Sequence, residues 1–274
     1  MEKVVSAAHV ERLVKEAYEG RKGVRTNCFM FADKLNGYAD DGRLFYETHG
    51  DGLLLLLDMD DFYILYYHIR PDAELDFVQK DKPVIIEFHD SEHRHNKQND
   101  AMIPYFEAAG FRHHNTIKRM TREYDQAAID ELLAQEDGPY EVITARPEHY
   151  GTIMDMLYSA FDPVKNLFPP RADIQRSLEA GEFLCVLDEA GKVICEVQVV
   201  YEDSSFYMLY VVTDPAWRGK NLSWQIRKVA TLRAWEMGIK KRTGWALSDN
   251  TPGIRAAEKT GLRFDGAFTL HYIK

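Results

Sequence analysis

Apolar and polar positions along this chain follow two periods, one of strands and one of helices. Residues 206–212 are an unbroken apolar, β-branched and aromatic run that stops at Asp214-Pro215, a turn signal. A short loop follows, Arg218-Gly219-Lys220-Asn221-Leu222-Ser223. Then Leu222, Ile226, Val229, Ala230, Ala234 and Met237 recur at helical spacing until Gly238 stops the helix. Strand, small-residue loop and helix start together aim backbone N–H groups and a helix dipole at an anion. A cofactor is therefore expected here, although the same residues also read as a charged turn that caps a helix.

The rest of the pattern surrounds that stretch. Residues 7–19 are amphipathic, with Val10, Leu13, Val14 and Ala17 on one face, and a second helix is expected over 27–38. Strands are predicted at 43–48, 53–58 and 62–69, with Asp60-Asp61 as a hairpin turn, and at 84–89. Residues 98–109 suit a short helix despite Pro104, and 112–122 are extended. The second half repeats the order. It has a strand at 140–144, a helix at 147–160, a loop with three prolines at 162–170 and a helix at 172–180. A hairpin of 183–187 and 192–201 precedes the 206–212 strand. A strand at 243–247, a helix near 252–260 and a strand at 264–273 close the chain.

This repetition extends to residues. Asn99-Asp-Ala-Met-Ile-Pro-Tyr-Phe-Glu-Ala-Ala-Gly-Phe111 aligns without a gap on Asn250-Thr-Pro-Gly-Ile-Arg-Ala-Ala-Glu-Lys-Thr-Gly-Leu262, with Asn, Ile, Glu and Gly coinciding. Each block follows a strand and precedes a β stretch. Both resemble the Asn-x-x-Ala-x-x-x-Tyr-x-Lys-x-Gly-Phe motif of the GNAT acyltransferase superfamily. The 218–223 loop resembles that superfamily's central motif, Gln/Arg-x-x-Gly-x-Gly/Ala. Arg218 fits its first position, while Asn221 and Ser223 hold the two glycine positions. Asn tolerates a left-handed backbone and Ser is small, so the loop can still close on a phosphate.

The resemblance implies an α/β (α+β) chain of two tandem GNAT-like domains, each a mixed, mostly antiparallel twisted sheet flanked by helices. The expected domains are 1–137 and 138–274, meeting near Asp137-Gly138-Pro139. The halves differ. Between residues 69 and 84 the first half has no Arg-Gly loop and no room for a four-turn helix, and the acidic residues at 72–76 would repel phosphate. The first half is thus expected to lack a cofactor, and is left to shape the substrate cleft or an oligomer interface, a homodimer included.

The function that the resemblance implies is transfer of an acetyl group from acetyl-CoA to a primary amine of a small molecule or peptide, directly in a ternary complex. Its pyrophosphate would sit on the N–H groups of Gly219, Lys220, Asn221, Leu222 and Ser223, with charge from Arg218 and Lys220. A backbone N–H near Val211 or Val212 would polarise the thioester carbonyl, and Asn250 sits where the superfamily contacts the pantetheine arm. The attacking amine must be neutral, so a general base is needed. Glu196 and Gln198 share a face of the 192–201 strand; Glu196 either points into the cleft with a raised pKa or lies solvated near an edge. Asp162 is a weaker candidate. The tyrosine that protonates the thiolate in the superfamily would stand at Ala257, and Phe106 is its first-half counterpart, so Tyr210 is the substitute acid or a packing residue. These departures keep a second reading open: a non-catalytic protein that binds acyl-CoA.

Composition narrows the partners. The net charge of −10 argues against nucleic acid. The first 137 residues carry 17 basic and 27 acidic residues, whereas residues 215–274 carry 12 basic and 4 acidic, which suits a polyphosphate beside the loop. The acidic first half points to a cationic acceptor. No run of 18 uncharged apolar residues occurs, so no membrane span is expected, and the N-terminal residues lack a secretory h-region. Cys28, Cys185 and Cys195 make neither a disulfide framework nor a metal pair; 185 and 195 could face each other across a hairpin or be a reduced cytoplasmic pair. His93 and His95 read as a solvated loop rather than a metal site. No metal is expected, and Trp224 and Trp235 are expected to pack.

Overall fold

The computed structural model describes all 274 residues except Arg21, Phe31, Asp51, Ala73 and Asp76, and leaves out the side chains of Ala32 and Asp33. The acidic stretch at 72–76 therefore lies partly outside the described residues. In chain order the elements are β1 (Glu2–Lys3), α1 (Ala7–Tyr18), β2 (Arg25–Thr26), α2 (Ala32–Asp40), β3 (Leu44–His49), β4 (Gly52–Asp58), β5 (Tyr63–Ile69), β6 (Val84–Ser91), α3 (Asn99–Ala108) and β7 (Arg112–Glu123). Then come α4 (Gln126–Leu133), β8 (Ile143–Thr144), α5 (Tyr150–Ala160), α6 (Arg171–Glu179), β9 (Phe183–Leu187), β10 (Val193–Tyr201), β11 (Phe206–Thr213), α7 (Leu222–Glu236), β12 (Lys241–Leu247), α8 (Thr251–Lys259) and β13 (Arg263–Ile273). The fold is mixed α/β with mostly antiparallel sheets flanked by helices.

Two compact units result. One comprises Met1–Ile117 together with Gly266–Lys274, the other Lys118–Asp265. The division falls before the expected junction near Asp137, and the last strand counts with the first unit from Gly266 onward.

In the first unit the strands run β1-β3-β4-β5-β6-β13. All pairs are antiparallel except β5 with β6. The five leucines of β4 are all buried because both of its faces are covered. Leu54 and Leu56 pack with Met102 and Phe106 of α3, while α1 lies against β4 and β5. A period-two strand carries polar residues only where one face meets water, so a continuous apolar run marks a strand covered twice. The second unit runs β12-β11-β10-β9-β8. Leu222, Ile226, Ala230 and Ala234 of α7 pack on one face of that sheet, and Ile153 and Leu157 of α5 with Ile174 and Leu178 of α6 on the other.

Several local expectations change. The helix expected over 27–38 begins only at Ala32, because Arg25 and Thr26 pair with Ile69 and His68 of β5. The strand at 140–144 shrinks to Ile143–Thr144. Met237 is 60% exposed rather than on the buried stripe, since it caps α7 beyond its last packed turn. Helix α4 was not expected; Asp125, whose side chain accepts from the Ala128 N–H at 2.8 Å, is the N-cap signal that could have found it. Cys195 pairs with Val186, not Cys185, and all three cysteines are free.

Candidate active site

The loop at the head of α7 is built by local constraints. Asp214 caps the 3₁₀ turn Pro215–Trp217, accepting from the Ala216 N–H at 2.9 Å. Gly219 then turns with φ 82°, and Asn221, the residue before α7, sits at φ 63° and ψ 17°. Asn221 thus adopts the left-handed conformation for which glycine is the usual residue. Its side chain makes no cap hydrogen bond to the helix. The backbone N–H groups of Gly219, Lys220, Asn221, Leu222 and Ser223 have no protein acceptor, and the helix dipole adds partial positive charge there. Arg218 and Lys220 are exposed beside them; Lys220 lies 4.0 Å over the Trp217 ring and the Arg218 Nε donates to the Thr213 carbonyl at 3.4 Å. The arrangement is of the kind that can hold a phosphate or pyrophosphate.

A β-bulge opens the sheet beside this loop. On β10, Glu196 pairs with Val212 and Gln198 with Leu209, so Tyr210 and Val211 oppose the single residue Val197. Tyr210 has φ 52°. The bulge shifts the side-chain phase of β11. Phe206, Met208 and Val211 face α7, whereas Tyr210 and Val212 face α5 and α6. On its other edge β11 pairs in parallel with β12 only at Phe206 with Arg242 and Tyr207 with Thr243. From Met208 onward no ladder pair joins them; this unpaired stretch, termed the slot below, runs past Val211 and Val212 toward the loop. The phase shift was invisible in an apolar run whose every residue fits either face.

The acid–base candidates sit on the α5–α6 face. Glu196 lies between Cys185 and Val212 on its neighbouring strands and is 0% exposed. Neither carboxyl oxygen has a hydrogen-bond partner. Burial pushes its pKa well above the ordinary carboxyl value, so the solvated alternative does not hold. Burial, reinforced by Glu196, also pushes the Cys185 thiol up to about 12, which makes it inert. Gln198 shares the face, and its amide donates to Ser177 Oγ at 3.1 Å. The Tyr210 hydroxyl donates to the Leu167 carbonyl at 3.4 Å, and its ring packs 4.7 Å from Phe168. Burial raises its pKa as well. The proline-rich loop thereby leans on the bulge. Asp162 is turned to that loop's own backbone, accepting from Val164 and Lys165 N–H at 2.9 Å. Asn250 caps α8, accepting from Gly253 N–H at 3.0 Å, and does not reach the 218–223 loop by any hydrogen bond. Trp235 packs against the α7 core. His95 is held between Asp90 and Asp100 at 2.9 and 2.8 Å, and no group of three metal-type side chains occurs among the described residues.

The first unit contains the same parallel pair, β5 and β6, joined only at Tyr63 with Val84 and Ile64 with Ile85. There the slot is filled. The buried Asn27 amide donates to Leu65 O at 3.0 Å on β5 and to Glu87 O at 3.4 Å on β6, and its oxygen accepts from the Tyr67 N–H at 2.8 Å. Among the described residues no helix lies between β5 and β6, so none there offers an N-terminus to an anion. Sequence reading missed the plug, because an isolated Asn in a loop carries no signal of a partner 38 to 60 residues away.

Neither a protein-family model nor a curated protein sequence matches the chain. Solved structures do. A tandem GNAT protein from the clavulanic acid biosynthesis pathway superimposes over 100% of this chain and 97% of its own, with TM-score 0.60 and 13% identity. The chain has the tandem GNAT fold. A GCN5-related N-acetyltransferase from Sphaerobacter thermophilus matches over 98% of this chain and 92% of its own, with TM-score 0.56 and 11% identity. A GCN5-related glucosamine N-acetyltransferase region of a fungal multi-domain β-N-acetylglucosaminidase covers 97% of this chain, with TM-score 0.57 and 13% identity. That match spans 36% of the fungal chain. At these identities the likeness is one of fold, and it agrees with the internal repeat.

Proposed function

We propose that the protein is an acetyl-CoA-dependent N-acetyltransferase whose second unit alone holds the cofactor. The observation that carries this reading is the row of unpartnered N–H groups from Gly219 to Ser223 at the N-terminus of α7, adjoining the slot between β11 and β12. Acetyl-CoA supplies an activated acetyl thioester and two groups of phosphates. The loop N–H groups, with Arg218 and Lys220, bind the pyrophosphate. The slot orients the pantetheine arm along β11, and Asn250, three residues past the end of β12, contacts that arm. A backbone N–H at Val211 or Val212 donates to the carbonyl oxygen as negative charge develops there.

Glu196 takes a proton from the incoming ammonium, directly or through water, and its raised pKa suits that task. Tyr210 gives its proton to the departing thiolate and is restored by the second proton that the nitrogen sheds as the amide forms. Its bond to Leu167 O is long, so the hydroxyl is free to turn. The acceptor is a primary amine of a small molecule or peptide, and the acidic balance of residues 1–137 favours a cationic one. Nucleic acid does not fit that charge. No described helix is long and apolar enough to cross a membrane, and three free cysteines suit a reducing cytoplasm.

A second reading is an acyl-CoA-binding protein without transfer. Ala257 in place of the superfamily's tyrosine and the depth of Glu196 favour it. Calorimetric titration with acetyl-CoA should give micromolar binding that Gly219→Pro abolishes, since proline cannot adopt φ 82°. Thiol release with a panel of amines then separates the readings. Binding without release in any arm favours the second, and no binding removes both.

A further inference from the structure

Helix α7 is buried on two sides. One side packs on the sheet, but Lys228 and Thr231 on another flank are also buried, at 6% and 3% exposure. That flank, with Trp224 and Arg227, walls a cavity of about 400 Å³ within the second unit. The remaining walls come from α4, the end of β7, the start of β12 and the turn after α8.

The lining is strongly cationic. Arg122, Arg227, Lys228, Arg242, Lys259 and Arg263 face it, against Glu131 and Glu258, both exposed. Lys228 is the only one of these cations with an ion-pair partner among the described residues, Asp137 at 2.6 Å. Arg242 is 5% exposed, its Nη1 donates to Thr260 Oγ1 at 3.3 Å, and its Nε has no partner. The Arg227 Nε is likewise buried and unpartnered. Burial, and then the neighbouring Arg242, pull the Arg227 pKa down to about 10, and neither guanidinium has a carboxylate partner among the described residues. Arg122 stacks 4.5 Å over Tyr124 and donates to Thr260 O at 2.7 Å. Gly261, at φ 81°, makes room for it: a Cβ there would stand 2.8 Å from Arg122 Nη1.

A buried guanidinium left without an anion is costly, and Arg242 stands beside the half-buried Arg227, whose Nε is also shut away from water. The planar fork of arginine matches a phosphoryl group at two oxygens at once. We propose that this cavity is a second anion site, distinct from the loop at Arg218 to Ser223, which takes a phosphoryl group between Arg227 and Arg242. The group is carried either by a free phosphorylated metabolite or by the 3′-phosphate of a CoA molecule whose pyrophosphate is on the loop. Only the second source rests on the function proposed above.

The test is a titration with inorganic phosphate at constant ionic strength, read by thermal shift and by ³¹P line broadening, on the wild type, Arg227→Gln, Arg242→Gln, Gly219→Pro, and Gly219→Pro combined with either arginine variant. A saturable response in the wild type and in Gly219→Pro, weakened at least tenfold when Arg227→Gln or Arg242→Gln is added to Gly219→Pro, is expected. The ligand-free melting temperature should hold or rise in Arg227→Gln, because an uncompensated charge is removed. A parallel titration with CoA and dephospho-CoA tells the sources apart. Loss of affinity for CoA alone in Arg227→Gln assigns the group to CoA, and equal affinity for both assigns it to a free metabolite. No phosphate response in Gly219→Pro, where the loop is disabled, or one that persists when Arg227→Gln or Arg242→Gln is added to Gly219→Pro, overturns the site. Arg227 is only half-buried, so its variant carries the test if Arg242→Gln does not fold.

Discussion

Replacing Glu196 by Gln separates the charge of this carboxyl from its shape. The wild-type carboxyl is fully buried, has no hydrogen-bond partner and titrates well above its ordinary value of 4.5. In the unfolded chain it ionises near that ordinary value. A group whose folded pKa is raised contributes its full stability below the unfolded pKa, and loses it as pH rises toward the folded pKa. In that window the unfolded state binds fewer protons, and stability falls by about 1.4 kcal/mol per pH unit. Gln cannot ionise and has no such slope. As pH rises above 4.5 the variant should therefore gain on the wild type by up to about 1.4 kcal/mol per unit, until the folded carboxyl itself ionises. A constant offset between the two proteins reports only how well the amide fits, so the slope isolates the charge. All four tryptophans, 217, 224, 235 and 245, lie in Lys118–Asp265, so urea unfolding followed by tryptophan fluorescence reads that unit alone. Parallel pH profiles for the two proteins would show an ordinary carboxyl and refute the reasoning. In the same variant, thiol release should fall by about 10²-fold or more, and wild-type activity should climb with pH as the carboxyl ionises.

The remaining predictions concern the loop, the bulge and the plug. Asn221→Gly should leave CoA affinity intact, whereas Asn221→Val, a β-branched residue forced to positive φ, should cost about 1–2 kcal/mol in thermal stability and weaken CoA about tenfold. Tyr210→Phe should change stability by less than about 1 kcal/mol, given its long hydrogen bond, but lower kcat about 10²-fold; an unchanged kcat with a raised KM for the amine would make Tyr210 a support for the loop instead. Asn27→Ala strips partners from the Tyr67 N–H and the Leu65 carbonyl, and should destabilise the first unit by about 2–4 kcal/mol, with faster amide exchange at Tyr67. An unaltered exchange rate there would mean the plug is dispensable.

The sequence by itself determined the elements and their repetition. Period-two and helical spacings are local, so the strand at 206–212, the helix from Leu222 and the two Asn…Gly blocks were legible, and Gly110 and Gly261 both prove left-handed where the alignment paired them. The loop where the anion site is proposed was legible for the same reason: a turn, small residues and a helix start are contiguous. Tertiary structure decided what depends on partners far along the chain. The bulge at Tyr210 is set by the register of β10, which no pattern within β11 encodes. Whether Glu196 met water or apolar side chains depended on α5 and α6 covering its face. Asn27 became a plug only when β5 and β6 came within reach of one amide. The cationic cavity gathers residues from 122 to 263 that are scattered in the sequence. Local geometry follows from neighbours in the chain, whereas burial, which sets the chemistry of Glu196 and Arg242, is a property of the packed molecule.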